Sequence, residues 1–210
     1  MSRQRARVEL AAVLTALDDS EEHDALEAKV LDATEALLRS SGLRRWSVDD
    51  VVELAGVGRT SVYRRFGGRD DLVHAVLARE LRTTLHAIGH AAADATDLEA
   101  KVVASVATAL AALEGSVVDS LLRSDPATFL PFLTTDAGPL LDIARATISA
   151  QVAAVAGAPP APELAEAAAR VGLSFVLTRA TVLPIDDPDA LATSIRQMLR
   201  PFLIAFAMPA

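Results

Sequence analysis

No cysteine occurs in the chain, which excludes disulfides, thiolate nucleophiles and cysteine-based zinc or iron–sulfur sites. The same absence suits a reducing compartment, so a cytoplasmic protein is expected. Apolar runs are too often broken by charges to span a bilayer, and no membrane partner is expected. A glycine-rich phosphate loop of the Walker type is missing, because Gly56-Val57-Gly58-Arg59 has the wrong spacing and no Lys. No Gly-x-Ser-x-Gly elbow occurs either; no catalytic residue is nominated, and no cofactor is expected. With ten Gly and ten Pro in 210 residues, collagen-like and low-complexity classes drop out. Neither strand alternation nor an internal repeat stands out, which leaves an all-α reading.

What remains is 51% hydrophobic and 23% charged, enough to bury a core. The net charge of −8 argues at first against a nucleic-acid partner, but the charge is unevenly spread. Residues 1–41 hold five basic and nine acidic groups, residues 42–71 six and five, and residues 72–210 nine and fourteen. Only the middle segment is positive, and its cations are all Arg: Arg44, Arg45, Arg59, Arg64, Arg65 and Arg69. Such a module inside an acidic body points to local contact with a polyanion.

At the amino end, Arg3, Arg5 and Arg7 before Leu10 to Leu17 resemble a signal peptide only superficially. Glu9 interrupts the junction, and Asp18, Asp19, Glu21 and Glu22 stand where small residues would set a cleavage site. Leu10, Leu14 and Leu17 share a helical face, so residues 1–23 are expected to form a helical extension packed on its own body or a partner chain. A first helix follows, with Leu26, Val30, Ala33 and Leu37 inward, an Asp24/Glu27 capping pair and Gly42 as its stop. Ser47, answered by Asp50, should cap a short second helix whose buried side is Val48, Val51, Val52 and Ala55. Gly56-Val57-Gly58 then breaks the chain, Arg59 to Phe66 forms a third helix of about two turns, and Gly67-Gly68 stops it. The fourth helix runs from about Asp70 through Ile88. Further helices are expected over Leu98 to Leu113, around Val117 to Leu122, over Leu140 to Val155, Glu163 to Leu183 and Asp189 to Phe206, with a Pro-punctuated stretch at Pro126, Pro131 and Pro139.

Two short helices around a glycine turn, after a longer first helix, are the layout of a helix-turn-helix DNA reader. On a wheel of about 100° per residue, Phe66 falls about 40° from Val62, so these two mark the buried side of the third helix. Thr60 and Arg64 fall opposite, with Ser61 and Tyr63 on the flanks. Arg59 is placed to read a guanine bidentately, and Ser61 and Tyr63 to donate to phosphate oxygens. The free amides near Ser47 and Arg69 add neutral phosphate donors. A solvated basic face on an ordinary helix is the plain alternative.

The run from Ser47 to Leu72 resembles the tetracycline-repressor (TetR) family of bacterial transcriptional regulators. The likeness lies in Ala55-Gly56-Val57, then Thr60-Ser61-Val62-Tyr63 with Phe66, then the basic-acidic-Leu start of the fourth helix. It covers about residues 26–80. It implies base reading by Arg59 and Thr60, phosphate contacts from Ser61 and Tyr63, and a phosphate contact from Arg69 where the family usually has Lys. Arg64 and Arg65 are further DNA-binding candidates. Gly67-Gly68 departs from the bulkier or more polar residues usual there, and Asp49, Asp50, Asp70 and Asp71 dilute the positive field. The amino-terminal extension is atypical, and a minor-groove role for its three arginines is not expected.

The expected organisation is therefore a helical extension (1–23), a helix-turn-helix DNA-binding domain (24–71) and a helical effector-binding and dimerisation domain (72–210). Expected partners are a near-palindromic double-stranded operator, a second copy of the chain, and a small, apolar effector. Leu173, Val176, Leu177, Leu191, Ile195, Leu199 and Phe202 recur at helical spacing and are the candidate four-helix dimer seam. His86 and His90, Phe129, Phe132 and Phe175 are candidate effector-pocket residues, with ordinary surface and core as the alternative. The His pair lacks the Glu of a zinc-protease motif and any further evident ligand, so no metal is expected. The reading is a ligand-responsive repressor acting as a homodimer. The competing reading is an all-α dimer that binds a small molecule or a partner without reading DNA. A small helical enzyme relying on His86 or His90 ranks last.

Overall fold

The structure, a computed structural model, describes residues 25–95, 97–156, 158–178, 182–184 and 187–207. Among the described residues it is all helical. The order is α1 (Ala25–Ser41), α2 (Val48–Ala55), α3 (Arg59–Phe66), α4 (Arg69–Ala93), α5 (Leu98–Leu113), α6 (Val117–Ser124), α7 (Pro126–Leu133), α8 (Gly138–Ala156), α9 (Pro162–Leu177) and α10 (Pro188–Ala207). No single helix among the described residues is long and apolar enough to cross a membrane. The expected extension over residues 1–23, with Arg3, Arg5 and Arg7, lies outside the described residues, as does the proposed cap at Asp24.

Two compact units divide the chain. The first takes in residues up to Thr83 together with Gly115–Thr134; the second takes in Thr84–Glu114 and the residues from Thr135 onward. The division differs from the boundary expected near residue 71, because α6 and α7 pack with the amino-terminal helices and α4 belongs to both units.

In the first unit, α1 turns Val30, Leu31, Ala33, Thr34 and Leu38 inward. Thr34 meets the cost of burying a hydroxyl by donating to the Val30 carbonyl at 2.8 Å. Gly42, at φ 67°, ends the helix, and its amide donates to Leu38 O at 2.9 Å. Leu43 and Trp46 from the following loop are buried, and the indole Nε1 donates back to Gly42 O at 3.0 Å. Val51, Val62, Leu72, Val73, Val76 and Ala78 complete the core. Each comes from the periodic face that its own helix presents to the others.

The Pro-punctuated stretch is helical over Pro126–Leu133 and again from Gly138. Pro126 opens α7 in the first turn, where the missing N–H has no helical partner to lose. Ser116 caps α6 by accepting from Asp119 N at 2.9 Å, and Val117 and Leu121 are fully buried.

In the second unit α5 packs with α10, burying Val103, Leu191 and Ile195, and α8 packs with α9 around Ala137, Leu141 and Ala169. Asp97 caps α5 through Ala100 N at 2.8 Å, and Asp187 caps α10 through Ala190 N at 3.0 Å. The ninth helix stops at Leu177, short of the expected Leu183.

Candidate nucleic-acid interface

The two short helices are set by local chemistry. Ser47 caps α2: its hydroxyl accepts from Asp50 N at 3.3 Å, while the Asp50 carboxylate accepts from Ser47 N at 2.7 Å and from the Ser47 hydroxyl at 2.8 Å. These bonds to the charged form hold the Asp50 carboxyl below its ordinary pKa, the Ser47 hydroxyl contributing most. At the other end Gly56 adopts φ 64°, ψ 36°, a left-handed conformation that L side chains rarely take. Its amide and that of Val57 close the turn on Glu53 O and Val52 O. The chain then re-enters a helix at Arg59.

Val62 is 1% exposed and anchors α3, with Phe66 half-buried beside it. Thr60 and Arg64 are exposed, in agreement with the wheel; Tyr63 is exposed and Ser61 half-buried on the two flanks, and Arg59 is exposed at the helix start. The outward row thus offers a fork of N–H donors, a hydroxyl, a phenol and a second guanidinium, the groups that base edges and phosphates accept from.

The arginines divide into two groups. Arg59 Nη1 lies 3.0 Å from Asp49 Oδ1 and donates to Oδ2 at 3.1 Å, and its guanidinium carbon sits 5.4 Å from the centroid of the Tyr63 ring. Both partners of this ion pair are 61% exposed. Arg64 makes no side-chain hydrogen bond or ion pair among the described residues. Arg65 instead reaches Glu27 of α1, donating from Nε at 2.9 Å and Nη2 at 2.5 Å. Arg69 donates from Nε to Trp46 O at 3.1 Å and from Nη2 to Leu43 O, with its guanidinium 4.5 Å over the Trp46 ring. Burial pushes the Arg69 pKa down, and Asp70 partly offsets it. Arg65 and Arg69, expected on DNA, are therefore engaged within the first unit. Arg44, likewise, pairs with Asp125 at 2.8 Å.

Asp49 is the member of this surface that the sequence treated only as unwanted negative charge. The signal that could have found it is positional: it lies in the first turn of α2, and Arg59 opens α3 across a tight glycine turn.

The remaining candidates are dispersed. His86 and His90 are exposed on α4, and no group of three metal-ligating side chains occurs among the described residues. Phe129 is buried on α7 in the first unit, its ring 6.0 Å from that of Phe132 and tilted by 58°. Phe175 is half-buried on α9 in the second unit. Of the seam candidates, Leu191 at 3% and Ile195 at 0% exposure are buried in the chain's own α5–α10 core, and Leu173 packs against the Ala137–Leu141–Ala169 cluster. This corrects the expectation: an apolar stripe on α10 meets α5 of the same chain. Val176 is half-buried and Leu177 is exposed, while the side chains of Leu199 and Phe202 lie outside those described. Val171 and Met198, not foreseen, are large apolar side chains exposed on α9 and α10.

Residues 30–76 match the family profile described as "Bacterial regulatory proteins, tetR family". No curated protein matches the chain. Among solved structures the chain is similar to the TetR family repressor AlkX from a Dietzia species, implicated in biodegradation of n-alkanes, at 24% identity and TM-score 0.59, over 90% of this chain and 100% of that one. It is also similar to the fatty acid degradation regulator FadR from Bacillus halodurans, at 17% identity and TM-score 0.56, over 85% and 96%. A third, the R. erythropolis transcriptional repressor QsdR, aligns at 18% identity and TM-score 0.52, over 90% and 99%. At these identities the likeness establishes a shared fold.

Proposed function

We propose that the chain, which matches the family profile of the bacterial tetR regulators over residues 30–76, is a transcriptional regulator of that kind, a ligand-responsive repressor that binds a near-palindromic operator as a homodimer. The observation that carries the reading is the exposed set Arg59, Thr60, Tyr63 and Arg64, with Thr60 and Arg64 opposite the buried Val62, on a helix that follows a glycine turn. In this role Arg59 and Thr60 read base edges, and Ser61, Tyr63 and Arg64 hold phosphates. The amides opening α2 after Ser47 add a neutral phosphate contact. Arg65 and Arg69 support the reader from behind.

One short helix offers few base contacts, so two heads about one helical turn apart (~34 Å) multiply affinity and demand a near-palindromic site. The dimer seam is proposed on the outward faces of α9 and α10, through Val171, Leu177 and Met198. The effector is proposed as an apolar molecule in the second unit. Of the described side chains on α5 only Val103 is fully buried, so apolar side chains such as Val106 and Leu110 are only partly covered. By binding one dimer state more tightly, such a ligand shifts the population away from the DNA-competent spacing.

A mobility shift against the DNA upstream of its own gene, repeated over a salt series, tests the function. Sequence preference with affinity falling as salt rises supports it. Equal retention of all sequences, or none, favours the second reading, a ligand-binding or partner-binding dimer, for which the net charge of −8 speaks.

A further inference from the structure

Arg59 is held in a way that distinguishes its edges. Both contacts with Asp49 go through the single nitrogen Nη1, at 3.0 and 3.1 Å. Nε and Nη2 make no hydrogen bond among the described residues, and the Tyr63 ring lies 5.4 Å from the guanidinium carbon. The head of a long, rotamer-rich side chain is thus fixed at one corner and along one side, leaving a parallel pair of donors.

From this geometry we infer that Asp49 is a specificity-determining residue, which makes Arg59 a base reader rather than a phosphate anchor. The inference rests on the DNA-reading function proposed above. Two acceptors side by side, as guanine presents with O6 and N7 in the major groove, match the open Nε–Nη2 edge without breaking the pair with Asp49. A phosphate approaching the same arginine meets the Asp49 carboxylate as a like charge, so backbone binding is penalised and guanine, neutral at that edge, is not. Orienting the fork before contact also lowers the entropy lost when it docks. The residue therefore trades general affinity for discrimination at one base pair in each half-site.

The test is a double-mutant cycle on the full chain. Wild type, Asp49→Asn, Asp49→Ser, Arg59→Ala and the Asp49→Asn/Arg59→Ala double variant are equilibrated with a randomised DNA library and with one unrelated duplex over a salt series, after thermal unfolding has established that each folds. An exposed pair acting by orientation is expected to be worth about two- to fivefold. Guanine preference at one base pair per half-site should fall by that factor in Asp49→Asn and Asp49→Ser, while affinity for the unrelated duplex is retained or rises and its salt dependence steepens by up to about one unit of slope. In the Arg59→Ala background the Asp49 change should leave base preference untouched. An unaltered preference profile in both single Asp49 variants overturns the inference, and so does a change that persists in the Arg59→Ala background, which would make Asp49 itself a base contact. If wild type selects no sequence at all, the DNA-reading function fails and this inference with it.

Discussion

Arg69 and Arg59 stand ten residues apart with the same side chain, and their surroundings give them opposite work. Arg69 is half-buried, donates to two main-chain carbonyls and lies over the Trp46 ring. Hydrogen bonds from a charged donor are worth roughly 1.5–3 kcal/mol each to stability, because removing the donor leaves the acceptors unpaired. Because the Arg69 side chain keeps 24% of its exposure and water can replace part of the two bonds, Arg69→Ala is expected to destabilise the first unit by less than their sum, about 2–3 kcal/mol, measured by chemical denaturation. Stability equal to wild type with loss of DNA affinity alone would return Arg69 to the phosphate role suggested by the family pattern. Gly67 is a second residue whose identity the backbone dictates. It sits at φ 85°, and a Cβ there would come within 2.7 Å of Asp71 Oδ2, the atom that accepts from Gly68 N at 2.8 Å. Gly67→Ala must both strain the turn and dislodge that cap, so the first glycine of the pair that departs from the family pattern is needed by this chain's own geometry.

At the scale of helices, the parts written in short-range chemistry were legible in the sequence and the parts written in long-range pairing were not. The Ser47–Asp50 box, the Gly56 turn and the faces of α1 to α3 follow from residues within four positions of one another, where caps and periodicity act. By contrast, the placement of α6 and α7 depends on pairs such as Arg44 with Asp125, 81 residues apart, which no local pattern encodes. The same limit explains the seam. Periodicity says that Leu191 and Ile195 share a face, but an apolar stripe reads alike whether it meets the chain's own α5 or another copy. A pH effect belongs to this scale too. Glu80 of α4 takes the amide of Val117 at the start of α6, at 2.9 and 3.2 Å. Burial raises its pKa above the ordinary 4.5, opposed by that amide and by Arg39 and reinforced by Glu35. The folded chain thus binds this proton more tightly than the unfolded one. The stabilisation is complete below about pH 4.5 and is lost as pH rises through the raised value. Unfolding midpoints of wild type and Glu80→Gln, compared from pH 4 to 7, should show the wild type losing ground to the variant as pH rises; a constant gap would mean that Glu80 titrates alike in both states.

For the whole molecule, the proposed function raises the question of how an acidic chain would hold an acidic polymer. Net charge of −8 sets a repulsive background, and the reader offers few cations once Arg44, Arg65 and Arg69 are committed internally. A single head in that field binds weakly, so affinity has to come from joining two, since the second head docks at an effective concentration of order mM rather than from solution. On the proposed operator-binding role, dimerisation is a condition of function, and it can be separated from folding by choosing the face. Leu177 is 37% exposed on α9 in the isolated chain, whereas Ile195 is completely buried. Leu177→Asp places a charge where only a partner chain would bury it, so the expected product is a folded monomer by sedimentation with operator affinity reduced at least a hundredfold, as loss of avidity implies. Ile195→Asp places the same charge in the monomer's core and should unfold the second unit whatever the oligomeric state. A Leu177→Asp chain that still sediments as a dimer would move the seam off this face, while a folded monomer that keeps full affinity would mean that one head suffices and that the operator need not be symmetric.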